Sequence, residues 1–328
     1  MKWFANPRGV CLITLILSFL YVPLTWAAQV ACPDVSGRNY INVLTLNLLF
    51  SEIENRDLRL TRIADFVNQE TESGNPIDII LLQEVVGGAL AQTNNSSIDL
   101  LSLLARRSLH YNLRYKMVNG VSGLLSVGDA ILTRCAVKSA LAITLPAESE
   151  EVFDDVHIAL KRNVLMARID VPGFGSIDIY DTHLCSGCSA SDRFQQTLVL
   201  MRVVKVVEMR MPGNNSIILG GDFNTDLNIP DNVPLYNLIT GNGFVDTYAV
   251  FNHCTSCCTP HDLSGCTFAV PGDPFATDLI TGASEQPARI DYMFIKGLGP
   301  VLESEVVLKG DPLWVSDHSG VLSKISFR

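Results

Sequence analysis

The chain has 328 residues, 48% of them apolar and 18% charged, which is the composition of a folded globular protein and excludes a disordered one. Lys and Arg number 24 against 34 Asp and Glu; the first 27 residues hold only Lys2 and Arg8, and without them 22 basic residues face 34 acidic ones, a net −12. That balance argues against a mainly electrostatic grip on nucleic acid, which needs a basic face to displace counterions. It leaves room for a nuclease that holds its substrate through metal ions.

Lys2 and Arg8 precede an apolar run from Val10 to Val22, broken only by Thr14 and Ser18, and small residues follow at Ala27 and Ala28. These are the three parts of a secretory signal, so residues 1–27 are expected to be removed and the protein exported. Nine cysteines fit an oxidising compartment: Cys11 lies in the signal, and the rest form an even set, Cys32, Cys135, Cys185, Cys188, Cys254, Cys257, Cys258 and Cys266. Cys185 and Cys188 are close enough for a local bridge, and the four between 254 and 266 read as a staple on one loop. Zinc is the competing reading there, since His253 and His261 stand beside a Cys-x-x-Cys spacing.

After the signal, Ile41 to Leu46 reads as a strand ending at Asn47, and Ser51 to Gln69 interleaves charges with apolar residues at helical spacing. Ile77 to Leu82 is an apolar run of strand length that ends in Gln83-Glu84. Ser97 to Arg107 suits a second helix. Strands are expected at Tyr111 to Val118, Ala130 to Thr133, Ala136 to Ile143, Asn163 to Val171 and Ser176 to Asp181. Ser189 to Met211 is the longest helix expected, capped by Ser189 or Ser191 and stopped by Pro212-Gly213. Short strands follow at Ile217 to Leu219, Ile290 to Ile295 and Gly320 to Ser326, with a long ordered loop from Ala249 to Gln286. No repeat or linker divides the chain, so residues 28–328 are read as one domain.

A pattern recurs in these strands, whose apolar runs end or begin with residues that carry metal or proton chemistry: Asn47, Glu84, His183, Asp222 with Asn224, Asp291, and Asp317-His318. Strand ends and their loops are where sites are built. Taken singly, each has a bland reading as a turn, cap or solvated strand end. Together they supply the parts of phosphoester cleavage. Glu84, Asn47 and Asp317 offer the oxygen ligands a hard cation such as magnesium prefers. A histidine poised by a carboxylate moves protons near neutral pH, and Asp291 or Asp222 with His318 forms that pair. His183 and Asn224 are placed to hydrogen-bond phosphate oxygens.

The order Leu-Thr-Leu-Asn47, Leu-Gln-Glu84, Asp-Thr-His183-Leu, Gly-Asp222-Phe-Asn224, Arg-Ile-Asp291-Tyr and Ser-Asp317-His318 resembles the endonuclease/exonuclease/phosphatase superfamily from Asn42 to Phe327. That resemblance implies an α/β four-layer αββα sandwich, two mixed β-sheets flanked by helices, with the site at one end. It implies Glu84 as principal magnesium ligand with Asn47 and Asp317 beside it, manganese or another divalent cation being the substitute. His318 becomes the general base or acid, oriented by Asp291. Asp222 orients the attacking water or binds a second metal, and Asn224 and His183 hold the phosphate. Asp129-Ala-Ile-Leu-Thr-Arg134 resembles a further strand of the family, with Arg134 in support.

Three features resemble secreted neutral sphingomyelinases: Gly265-Cys-Thr267 with Asp273-Pro274 and Arg289-Ile-Asp291-Tyr, Thr182-His183-Leu184 followed by Arg193 and Gln196, and Ser316-Asp-His-Ser-Gly-Val321. Asp273 departs from the usual Asn of those enzymes. The expectation is a secreted phosphodiesterase that releases phosphocholine and ceramide from sphingomyelin at a phospholipid surface, with no obligate protein partner. A secreted deoxyribonuclease-like endonuclease acting on nucleic acid is the alternative, and a non-catalytic binding module of the same fold is the third reading. No long exposed hydrophobic hairpin for membrane docking is legible in the sequence.

Overall fold

The computed structural model describes residues 38–327, apart from 51–54, 122, 148, 154–155, 212, 214–215 and 277–284. The expected signal at 1–27, Cys11, Cys32 and Pro212 lie outside the described residues. Among the described residues, no helix is long and apolar enough to cross a membrane.

The first half of the chain runs β1 (Tyr40–Asn47), α1 (Arg56–Glu72), β2 (Ile79–Gly87), α2 (Ser96–Ala105), β3 (Asn112–Val121), β4 (Leu125–Thr133), β5 (Val137–Thr144) and a hairpin of β6 (Ser149–Phe153) with β7 (Val156–Leu160). The second half adds β8 (Asn163–Val171), β9 (Gly175–His183), α3 (Ala190–Arg210), β10 (Ser216–Asp222), α4 (Val233–Gly241), β11 (Val245–Asp246), α5 (Thr247–Asn252), β12 (Asp291–Lys296), β13 (Val301–Val307) and β14 (Gly320–Ser326). Two six-stranded sheets result, ordered β13-β14-β1-β2-β4-β3 and β11-β12-β10-β9-β8-β5. Both are mixed, because β1 pairs parallel with β2 and β9 parallel with β10 while their other pairings are antiparallel. Each parallel pair needs a crossover, and α1 and α3 provide them.

Three apolar layers explain the stacking. Ile41, Val43, Ile79, Leu81 and Ile131 of the first sheet meet Leu165, Ile177, Ile179, Ile218 and Met293 of the second in a central cluster. The alternate residues Leu44, Leu46, Ile80 and Leu82 point outward onto Leu60, Ile63 and Val67 of α1 and Leu100 and Leu104 of α2. Tyr180, Ile217, Leu219 and Phe294 do the same toward Leu200, Val204 and Val207 of α3 and Leu235 and Ile239 of α4. Strands buried on both faces read as near-continuous apolar runs, which is how they appeared in the sequence. The expected αββα sandwich is the fold. Helix α3 begins on the expected Ser189, in a capping box with Asp192.

Some expectations need correction. Strand β2 does not stop before Gln83-Glu84 but carries both and runs on to Gly87. The loop expected from Ala249 opens inside α5. Helix α4 and strands β11 and β13 were not expected; the two or seven residues of each strand and the nine of α4 leave little periodicity to detect.

Candidate active site

Strands β1, β2, β9 and β10 all finish at one end of the sandwich, while β12 and β14 start there. This is why Asn47, Glu84, His183, Asp222, Asp291 and His318, spread over the chain, converge. Ligands bind outside the carboxyl ends of parallel strands in open α/β sheets for the same reason.

On the first sheet, Asn47 closes β1. Its Nδ2 donates to Glu84 Oε1 at 3.2 Å and, across the gap between the sheets, to Asp222 Oδ2 at 3.1 Å; its Oδ1 accepts from the Leu49 amide at 3.0 Å. Glu84 sits where the pairing of β2 with β4 slips between Leu82 and Val85, at φ 56°. A bulge re-aims a side chain, and a left-handed non-glycine residue costs on the order of 1–3 kcal/mol, a strain that clusters at functional sites. Its Oε2 accepts from the Phe50 amide at 2.9 Å.

On the second sheet, register does the positioning: Asp222 lies opposite both His183 on β9 and Asp291 on β12, so three functional side chains form one row. Gly221 before it has φ 138°, and a Cβ there would lie 1.9 Å from Thr182 O, so only glycine lets β10 pack on β9 at this point. Asp222 Oδ2 stands 3.4 Å from His183 Nε2 and 3.8 Å from His318 Nε2, while Oδ1 accepts from the Asn224 amide at 2.8 Å. Asn224, at φ 48°, donates through Nδ2 to Leu184 O at 2.9 Å.

His318 is held from two sides. Its Nδ1 lies 2.8 Å from Asp291 Oδ2, and its ring packs 4.9 Å from that of Phe268. Thr267 supports both partners: its Oγ1 accepts from the Ile290 and Asp291 amides at 3.2 and 3.1 Å, and its carbonyl accepts from Ser319 N. Asp317 accepts from Ser316 Oγ at 3.1 Å.

The electrostatics follow from crowding acids in a buried space. Burial pushes the Asp222 carboxyl up to about 7, with the Asp291 charge adding to it. Burial also raises Asp317, opposed by His318 and reinforced by Glu84. For His318 burial disfavours the charge, but Asp291, Asp317 and Asp222 outweigh it and hold the imidazole well above the ordinary histidine range. His183 goes the other way: burial first, then Arg162 and His318, keep it neutral. Two histidines 3.4 and 3.8 Å from one carboxylate oxygen are thus driven to opposite protonation states.

The donor set suits a hard divalent cation. Glu84, Asp222, Asp291 and Asp317 contribute oxygens, Asp291 Oδ1 is buried with no hydrogen-bond partner among the described residues, and Asp222, Asp291 and His318 offer ligand atoms within 4.8 Å of one another. That trio differs from the expected set of Glu84, Asn47 and Asp317, but the Asn47 amide bridges Glu84 to Asp222 and so joins the two groups.

All eight residues expected at the site lie at this end, and the structure adds others. Arg162, buried just before β8, has Nη1 3.1 and 3.2 Å from the His183 ring nitrogens and Nη2 donating to Ser186 Oγ at 3.1 Å. The hairpin register carried that signal: Val171 pairs with Gly175 and Val164 with Thr182, so counting back from the turn sets Asn163 and Arg162 beside His183. Gln83, next to Glu84, points between the sheets and donates to Asp181 Oδ1 at 2.6 Å. Burial raises Asp181 well above the carboxylate range, and raises Asp129 to about 8 against the pull of Arg162 and with help from Glu84 and Asp222. Asp273 also belongs to the site: burial and the nearby Asp317 charge push it up to about 7, against the Phe275 amide and His318. Arg134 stands apart, its amide bonded to Asp78 O at the far end of β2.

The cysteines flanking these loops are paired: Cys185 with Cys188, Cys254 with Cys257, and Cys258 with Cys266, and Cys135 is disulfide-bonded as well. The four sulfurs between 254 and 266 are therefore used by each other and not by zinc.

A four-layer sandwich with a carboxylate, amide and histidine cluster at one end defines a class of phosphoester hydrolases. The chain belongs to the Endonuclease/Exonuclease/phosphatase family, whose sequence profile matches residues 44–318. Family members use divalent metal ions. None of the curated proteins matches the sequence. Among solved structures it is similar to an endonuclease/exonuclease/phosphatase family protein from Leptotrichia buccalis C-1013-b, with 24% identity, a TM-score of 0.59, and 88% of this chain and 100% of that one covered. An endonuclease/exonuclease/phosphatase from Beutenbergia cavernae DSM 12333 gives 21% identity and a TM-score of 0.61 over 88% and 72% of the two chains. D. rerio TDP2, solved with a single-strand DNA product, gives 17% identity and 0.60 over 88% and 99%. At these identities the likeness is one of fold.

Proposed function

We propose that the protein is a secreted, magnesium-dependent phosphodiesterase that hydrolyses sphingomyelin to phosphocholine and ceramide by an activated water. The observation that carries the hydrolase chemistry is the buried chain Asp291–His318–Asp222 with the Asn47 amide joining it to Glu84. His318 Nδ1 is committed to Asp291 and the ring is held protonated, so its Nε2–H, which faces Asp222, gives a proton to the leaving-group oxygen, while the Asp222 carboxylate takes the proton of the attacking water. Asp222 orients that water, and its Oδ1 is fixed by the Asn224 amide. His183, kept neutral, and Arg162 face the non-bridging oxygens. Glu84, Asp317 and Asp291 would hold a divalent cation, which would supply positive charge for the phosphate and offset the negative charge of the cluster.

Lipid is preferred for two reasons. One is the resemblance of the Thr267, Asp273 and Arg289-Ile-Asp291-Tyr series to sphingomyelinases. The other is a short aliphatic tip on the β3–β4 hairpin: Val121 and Leu124 are 64% and 49% exposed, and Leu90, 60% exposed, is bonded to it through its amide and Leu124 O at 2.9 Å. An exposed aliphatic tip at the end of the sandwich that carries the site suits a phospholipid interface. A nuclease is the second reading, favoured by the likeness to TDP2 and its DNA product. Incubation with magnesium and either sphingomyelin vesicles or plasmid DNA separates them: phosphocholine release without nicking supports the proposal, and nicking without phosphocholine overturns it.

A further inference from the structure

The loops that carry the cluster are not joined to one another by sequence, and Asn47 and Asp317 are 270 positions apart. One buried side chain behind them touches three of these segments. Arg59, in the first turn of α1 and 4% exposed, donates from Nη1 to Leu48 O at 2.6 Å and to Val315 O at 2.7 Å, and from Nη2 to Leu49 O at 3.1 Å. Its guanidinium lies 5.6 Å from the centroid of the Phe275 ring.

What those atoms belong to gives the contacts their meaning. Leu48 and Leu49 form the turn after β1 whose amides set the ligands: Leu49 N holds Asn47 Oδ1, and the next amide, Phe50 N, holds Glu84 Oε2. Leu49 has φ 50°, a left-handed conformation that an aliphatic residue keeps only when its surroundings enforce it. Val315 lies two residues before Asp317. Phe275 is two residues after Asp273, and its amide donates to Asp273 Oδ1 at 2.8 Å. A guanidinium is planar with donors in a rigid fork, so it fixes several carbonyls at set angles; an ammonium is a point charge that cannot span them.

We infer that Arg59 is a positioning residue for the cation site, setting the Asn47–Glu84 turn, the Asp317 loop and the Asp273 loop relative to one another. This rests on reading the cluster as a divalent-cation site. The polar residues behind first ligands typically set metal affinity by about 10- to 100-fold when removed. The test is magnesium binding measured by calorimetry on the full chain without substrate, with the thermal midpoint in EDTA recorded alongside. Arg59→Met is expected to weaken magnesium about tenfold or more, and Arg59→Lys, which keeps the charge but not the fork, to fall between it and the wild type. Arg168→Met is the control, because Arg168 pairs with the buried Asp178 at 2.5 Å and has no bond to these loops, so it lowers stability and leaves magnesium affinity unchanged. Wild-type affinity in Arg59→Lys, or an affinity loss in Arg168→Met equal to that of the Arg59 variants, overturns the inference. If Arg59→Met does not fold, Arg59→Lys decides alone. Failure of the wild type itself to bind magnesium overturns the cation reading instead, which is a distinct result.

Discussion

Replacing Asp291 by asparagine removes a charge 2.8 Å from His318 Nδ1 while keeping the side chain's size and one acceptor oxygen. Neither partner can recruit water in compensation, since Asp291 is wholly buried and His318 is 5% exposed. Two effects follow. The imidazole loses the nearest of the three charges that keep it protonated, so its pKa falls from well above the histidine range toward or below it. The amide can also present its NH₂ to Nδ1, which selects the wrong tautomer at Nε2. Loss of a correctly poised proton-transfer group costs about 10²- to 10⁴-fold in rate, or roughly 3–5 kcal/mol of barrier at ~1.4 kcal/mol per tenfold. The assay pairs phosphocholine or nicked-DNA release at saturating magnesium with the ¹⁵N shifts of the His318 ring in metal-free protein. Asp291→Asn with kcat within threefold of wild type, or an unchanged His318 titration, refutes the reasoning; an equal thermal midpoint for the two proteins shows that the fold is not the cause.

Asp129 gives a pH-dependent test of the buried acids. Its folded pKa of about 8 lies above the unfolded value, so the native state keeps a proton that the unfolded chain loses. Its contribution to stability is full below about pH 4 and is lost as pH rises toward 8, a slope of at most ~1.4 kcal/mol per unit. In EDTA, Asp129→Asn should therefore gain on the wild type as pH goes from 5 to 7.5, and a constant difference in urea midpoint between the two counts against it. Magnesium at 100 times its dissociation constant should stabilise the protein by about 2.7 kcal/mol, while excess EDTA should abolish turnover; activity retained in chelator speaks against the cation. Arg162→Gln should lower kcat/KM by about 10- to 100-fold, the scale of a hydrogen bond to a charged group, and raise the His183 pKa, read by the same ring shifts. Gly221→Ala, with its Cβ 1.9 Å from Thr182 O, should cost about 3 kcal/mol or more of stability in denaturant unfolding.

The sandwich was legible because strands buried on both faces leave apolar runs that end in polar residues. The runs at Ile41, Ile77, Asn163 and Ile217 each appear as strands, with Asn163–Val171 matched at both ends. The site's eight residues stood out for the same reason. What the sequence hid was the layer behind them. Arg59 looks like one more charge on the polar face of an amphipathic helix, yet it is 4% exposed, because loops from distant parts of the chain fold over that turn. Asp129, Asp181 and Gln83 sit in apolar strands, where a lone polar residue reads as an interruption until the opposite sheet supplies its partner. The bulge at Glu84 was invisible too, since a one-residue slip in pairing leaves no mark in composition.

The Asn47–Asp222 and Gln83–Asp181 hydrogen bonds both cross from one sheet to the other, and the cluster draws its members from both. Neither sheet with its own helices holds a working half. A state with only one sheet formed therefore lacks part of the cluster, and the complete site exists only when the two sheets are docked. Catalysis thus reports on global cooperativity in this protein. A cation bound at that seam also favours the docked state over any splayed one, so it slows the sheets' separation as well as serving the reaction.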